Sequence, residues 1–365
     1  MGVPLPDSPH ACVVSLPTWE AVIGYEESDP AVVGKMRSGY PRFFLHPITA
    51  SYLGELEGEH AGEGERLMAY SSSAAAQRAA RFVRQRTGLT GRVIESEVSL
   101  LAVPEEGYQA ARDYWRHTGE LISSRQAEDL QHGVTTDSSQ VAEFRRSLAR
   151  VMKVREQDAF FFESGMAAIF ALYRAVTARR PGLKTLQLCF PYVDALKVQE
   201  HFGAGVDFVN SPRGDALDEA LVAIRQGSYA AVFCEVPSNP LLHTVDLPAV
   251  AEACRASRTP LLVDDTVCSH LNIDALSHAD AVSTSLTKWV SGVGDVLAGA
   301  VRLNHSSPFA EELRRVLDDE VPDGSRLYPR DAEVLAANAA DFERRVNECN
   351  GNGRAAAEVL HDHPA

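Results

Sequence analysis

The chain is poor in aromatic residues, at 7% of its composition, and short of basic ones: 35 Lys and Arg stand against 50 Asp and Glu, a formal charge of -15. A surface of that sign repels a phosphate backbone, which excludes nucleic acid as a partner class. No run of about 18 apolar residues occurs, and the first residues carry neither a basic start nor an apolar core. No membrane insertion or export is predicted, and a cytoplasmic location is expected. The six cysteines (Cys12, Cys189, Cys234, Cys254, Cys268 and Cys349) show no Cys-x-x-Cys spacing, which predicts reduced, buried thiols. His361 and His363 have no identifiable companions and read as a solvated tail, so no metal site is expected. Leu297 stands where a third glycine would follow Gly292 and Gly294, and no Gly-x-Ser-x-Gly elbow occurs. Dinucleotide-binding and serine-hydrolase fingerprints are therefore absent.

What the chain does have is length and apolar content, 365 residues at 45% hydrophobic, enough to bury a large core. Residues 1–65 read as an extended arm followed by a flexible acidic loop over 54–65, because glycine and glutamate dominate there. Residues 66–133 read as a small α/β insertion of two strand-then-helix units, with one strand spanning Arg92 to Val103. Over 134–330, short apolar runs alternate with helical patterns, which predicts a mostly parallel sheet with helices on both faces. Residues 331–365 read as mostly helical.

Three places in that alternation carry chemistry. Lys288, in Ser285-Leu286-Thr287-Lys288-Trp289, ends an apolar stretch. A lysine nucleophile needs a partly desolvated ammonium, and Ser285 and Thr287 are spaced to hold an anionic handle beside it. The run Pro260-Leu261-Leu262-Val263-Asp264 reads as a buried strand tipped with a carboxylate, and ligands of open α/β sheets sit at such carboxyl ends. Asp264 can pair there with a protonated pyridine nitrogen; capping the next helix is the plainer alternative. Phe160-Phe161-Phe162-Glu163-Ser164-Gly165-Met166 reads as a strand, a turn and a helix start, where free N–H groups of Gly165 and Met166 suit a phosphate.

These segments, with Phe190-Pro191-Tyr192-Val193-Asp194 and Glu235-Val236-Pro237-Ser238-Asn239-Pro240, resemble the Cys/Met-metabolism family of pyridoxal 5'-phosphate (PLP) enzymes, and most closely its fungal-type cystathionine gamma-synthase branch. Gly39-Tyr40-Pro41-Arg42 and the Pro17-Thr18-Trp19-Glu20 region are also similar to that branch. The resemblance implies a fold-type I, aspartate-aminotransferase-like α/β domain. It implies that Lys288 bonds PLP and moves protons, that Asp264 pairs with the pyridine nitrogen, and that Tyr192 stacks on the ring. Asn239 would lie near the phenolic oxygen and the substrate carboxylate, and Gly165, Met166, Ser285 and Thr287 would contact the phosphate. Tyr40 and Arg42 would reach the phosphate of a neighbouring subunit, which implies a homodimer or homotetramer with shared active sites.

Two departures stand out: the family often has Asp-Asn-Thr where this chain has Asp264-Asp265-Thr266, and Gly-His-Ser-Asp-Val where it has Gly292-Val293-Gly294-Asp295-Val296. Residues 331–365 would be only the start of the family's C-terminal domain, which carries the arginine for the substrate carboxylate. The implied activity is γ-replacement, making cystathionine from an O-acylhomoserine and cysteine. A cystathionine lyase, an O-acylhomoserine sulfhydrylase and a non-catalytic scaffold paralogue remain as alternatives.

Overall fold

In the computed structural model, residues 3–363 are described; the first two residues of the expected arm and the last two of the expected C-terminal segment lie outside them. Twelve strands are described: β1 (Val3–Leu5), β2 (Val13–Ser15), β3 (Glu65–Tyr70), β4 (Arg92–Glu95), β5 (Ser99–Pro104), β6 (Ala159–Phe162), β7 (Thr185–Leu188), β8 (Val206–Val209), β9 (Val232–Glu235), β10 (Leu261–Asp264), β11 (Ala281–Ser285) and β12 (Gly299–Leu303).

The largest sheet has the order β6-β12-β11-β10-β9-β7-β8. The ladders from β8 across to β11 are all parallel, and β12 runs antiparallel to both of its neighbours. Apart from the edge strand β8, its strands are largely buried on both faces, which is why they read as continuous apolar runs: Phe160, Phe161 and Phe162 in β6 are wholly buried, as is Val282 in β11. Helices such as Gly165–Arg179, Val193–His201 and Leu247–Ser257 cover it. The expected α/β fold with a mostly parallel sheet is therefore present.

The segment over 66–133 builds a separate antiparallel sheet of order β3-β5-β4, backed by helices Ser73–Thr87 and Glu105–Thr118. The single strand expected from Arg92 to Val103 is a hairpin instead, because β4 pairs back onto β5 with Ile94 opposite Leu100.

The acidic loop expected over 54–65 is also corrected. Most of it belongs to the helix Pro47–His60, which buries Thr49, Tyr52, Leu53 and Leu56 and turns Gly54 and Gly58 outward. Those apolar positions recur with helical spacing, and Pro47 at the first position suits a helix start. The buried face packs on Leu67, Ala69, Leu100 and Ile122, so tertiary contact outweighs the glycine-rich composition. The expected extended arm likewise contains helices Trp19–Glu26 and Pro30–Val33, capped by Thr18 and Asp29, whose side chains accept the N–H groups of Ala21 and Ala31. No helix among the described residues is long and apolar enough to cross a membrane. Four of the six cysteines are buried as expected, but Cys268 is partly exposed and Cys349, on the helix Phe342–His361, is exposed.

Candidate active site

The carboxyl ends of β9, β10 and β11 meet the start of helix Gly165–Arg179, and between them lies a cavity of about 640 Å³ counting its open mouth. Tyr40, Arg42, Gly165, Met166, Tyr192, Asn239, Asp264, Ser285 and Lys288 line it. Residues from six separate stretches of sequence thus converge on one volume, within the usual size of a small-ligand site.

The helix start is close to the sheet by necessity. A Cβ on Gly165 would come within 2.7 Å of the Ser285 Cβ, so only glycine fits. Ser164 caps the helix, accepting the Ala167 N–H at 3.0 Å and donating to the Gly119 carbonyl at 2.9 Å. The N–H groups of Gly165 and Met166 have no partner within the helix and sit at its positive end, a cradle for an anion beside the Ser285 hydroxyl.

Asp264 tips β10. Its carboxylate accepts the Thr266 N–H at 2.8 Å and the Ser283 hydroxyl at 3.1 Å. Burial nevertheless pushes its pKa up to about 6, against those hydrogen bonds. A carboxylate held in that condition gains from a cationic partner, and a pyridinium supplies one.

Lys288 opens toward the same space from a π-helical turn, Thr287–Ser291, which is closed by Gly292 at φ 71°. Its Nζ lies 4.3 Å from the centroid of the Tyr40 ring, a cation–π distance. The expectation of a desolvated ammonium is not met here, since Lys288 is exposed to the open pocket. Thr287 is not brought into the cavity. Its hydroxyl is buried and accepts the Ala298 N–H at 2.9 Å, holding the turn against the start of β12.

Tyr40 and Arg42 line the pocket of their own chain. Arg42 is fully buried by partners from the same chain: its Nη2 donates to the Tyr192 hydroxyl at 2.5 Å and to Asp194 at 2.9 Å, and its Nη1 donates to the Arg116 carbonyl. Asp194 also contacts His117 Nδ1 at 2.9 Å. Burial works to raise the Asp194 pKa, but the His117 hydrogen bond and the Arg42 guanidinium hold it below the ordinary value. The guanidinium therefore fixes Tyr192 at the cavity wall. Asn239 is exposed at the mouth.

Four residues outside the sequence-based candidate set matter to this geometry. Asp194 anchors Arg42, and Glu235 lines the cavity next to Asp264. Asp265, where the family often has asparagine, is wholly buried in an ion pair with Arg302 of β12 and accepts the Thr284 hydroxyl at 2.5 Å. Arg345, from helix Phe342–His361, donates to the carbonyls of Trp289 and Val290 at 2.9 Å and of Ser291 at 3.2 Å, clasping the turn that carries Lys288. These partners lie 19 to 152 residues apart in sequence, so spacing could not reveal them. Residue type alone gave a signal for Asp265, whose extra charge demands a buried cation.

The cradle at Gly165, the desolvated Asp264 and the amine of Lys288 in one cavity fit PLP, a molecule with a phosphate, a basic ring nitrogen and an aldehyde. Residues 116–365 match the family described as Cys/Met metabolism PLP-dependent enzyme, and residues 53–123 match the fungal trans-sulfuration enzyme N-terminal domain. Cystathionine gamma-synthase of Neurospora crassa is 26% identical over 500 residues, covering 100% of this chain and 80% of that protein. L-2-amino-4-chloropent-4-enoate dechlorinase/desaturase of Streptantibioticus cattleyicolor is 34% identical over 385 residues, covering 98% of this chain and 74% of that protein. The crystal structure of metB from Corynebacterium glutamicum superposes with a TM-score of 0.51 at 25% identity, covering 60% of this chain and 56% of that one, just over half its length. With the sheet, the cavity and both sequence matches in agreement, the chain belongs to the Cys/Met metabolism PLP-dependent enzyme family.

Proposed function

We propose that this chain catalyses γ-replacement on an amino acid, forming cystathionine from an O-acylhomoserine and cysteine. The observation that carries the reading is the single cavity in which Lys288, Asp264, Tyr192 and the Gly165 helix start converge. PLP, when bound, supplies an electron sink for negative charge developing on the substrate carbon chain. Lys288 would hold its aldehyde end before substrate arrives and, once displaced there by the substrate amine, would take the proton from substrate Cα. Asp264, its charge disfavoured by burial, accepts the ring N–H and keeps that nitrogen protonated. Tyr192, braced by Arg42, covers the ring and keeps water from one side. The N–H groups of Gly165 and Met166, with the Ser285 hydroxyl, hold the phosphate. Asn239 at the mouth offers an amide to the substrate carboxylate. Tyr40, beside the Lys288 ammonium, adds a phenol to the phosphate end.

A second reading is elimination of a γ-substituent with no incoming thiol. It is favoured by the 34% identity to a protein named as a dechlorinase/desaturase, above the 26% to a named cystathionine gamma-synthase. Both readings need the same proton transfers, and they part only at the last step. With an O-acylhomoserine as donor, replacement yields cystathionine when cysteine is present and slow 2-oxobutyrate when it is not. Equal 2-oxobutyrate with and without cysteine, and no cystathionine, would replace the first reading with the second. Far better use of sulfide than cysteine would point to a sulfhydrylase.

A further inference from the structure

Two carboxylates share the cavity, and the proposed chemistry uses one. Glu235 ends β9 directly opposite Asp264 in the parallel ladder between β9 and β10. It is buried, and it makes no ion pair among the described residues. Instead its two oxygens each accept a backbone N–H: Oε2 from Tyr192 at 2.6 Å and Oε1 from Asn239 at 2.8 Å. Tyr192 stands at the start of the helix after β7, and Asn239 sits on the loop after β9, so one side chain joins these two segments.

We propose that Glu235 is a positioning residue whose ionised carboxylate sets Tyr192 and Asn239 together in the arrangement that receives the cofactor. Both N–H groups need an acceptor, and an ionised carboxylate offers two. A proton on either oxygen turns that oxygen into a donor facing an N–H, so one of the two bonds is lost. Ionisation is opposed first by burial and then by Asp264, which together push the Glu235 pKa up to about 8 despite both N–H bonds. The charged groups lining the cavity around it are Asp264 from β10, Lys288 from the turn after β11 and Arg42 from the N-terminal arm. Arg42 is already committed to Asp194, which leaves Asp264 as the group that titrates together with Glu235. A cofactor that neutralises Asp264 at its ring nitrogen removes that repulsion. Cofactor capture and ionisation of Glu235 then favour one another.

The proposal rests on PLP being the ligand, and the test separates the two claims. Apoprotein of the wild type and of Glu235→Gln is titrated with PLP by absorbance from pH 6.5 to 9.5, and amide hydrogen exchange of the apoproteins is followed at Tyr192 and Asn239. The amide of glutamine keeps one acceptor and points a donor at the other N–H. Its PLP dissociation constant should rise about tenfold at pH 9, where the wild type is ionised. The variant should lack the tightening that the wild type shows between pH 7 and 9, and its Tyr192 or Asn239 amide should exchange faster. If Glu235→Gln does not fold, Glu235→Asp serves, since it keeps the charge but is too short to reach both amides. A folded variant with the wild-type dissociation constant, pH profile and amide exchange overturns the proposal. If the wild type binds no PLP, the functional reading falls while the amide exchange still decides the role of Glu235.

Discussion

Arg302 and Asp265 form a buried pair at one of this chain's two departures from the family pattern. Asp265 has no exposed surface and Arg302 keeps 3% of its own, so neither charge is screened by water. Replacing Arg302 by Met removes the cation and leaves Asp265, among the described residues, with only the Thr284 hydroxyl as a side-chain donor. Breaking a buried pair from one side costs about 3–5 kcal/mol, since the remaining charge is uncompensated. Asp265→Asn should cost a comparable amount by stranding the guanidinium. In the double variant both charges are gone, and its stability should return to within about 1.5 kcal/mol of the wild type, a coupling of at least about 4.5 kcal/mol. The assay is the first urea unfolding transition of the four apoproteins, followed by far-ultraviolet circular dichroism. Two single variants each within about 0.5 kcal/mol of the wild type, or losses that simply add, would refute the claim that Arg302 compensates Asp265.

Three further outcomes are expected. Because the folded-state pKa values of Glu235 and Asp264 are raised, to about 8 and about 6, the folded apoprotein binds protons more tightly than the unfolded chain. The stability these two groups contribute should fall as pH rises from about 4.5 to 8; thermal melts of Glu235→Gln should lose the part of that fall above pH 6, and a slope there equal to that of the wild type would contradict it. Mixing Arg42→Ala with Lys288→Ala subunits under proven exchange should restore no activity, because both residues line the pocket of one chain; recovery would assign Arg42 to a partner's site. Arg345→Ala should free the carbonyls of Trp289, Val290 and Ser291, lower Lys288-dependent activity at least about tenfold and speed amide exchange in the turn; wild-type values for both would show that the clasp is idle.

The sheet and the ends of its strands were legible because burial on both faces imposes a local signature. β10 shows it plainly: three apolar residues, then Asp264 where the strand leaves the core. The same logic brought out Gly165 and Lys288, since a helix start and a strand end carry their residue types next to the chemistry. The helix Pro47–His60 was hidden because exposed Gly54, Gly58 and four glutamate or histidine neighbours dominate its composition, while its order comes from Tyr52, Leu53 and Leu56 packing on the insertion sheet. Where the Thr287 hydroxyl turns was not legible, because chain spacing cannot tell its direction, and here it accepts the Ala298 N–H. Asp194, Glu235 and Arg345 act through partners far away in the chain, and only the folded structure brings each pair together.

The central claim is that Lys288 carries the cofactor. Full-length protein loaded with PLP should be yellow, and reduction with borohydride followed by proteolysis and mass spectrometry should find the pyridoxyl group on Lys288 alone. A pyridoxyl group on another lysine, or none after loading at saturating PLP, would contradict the account.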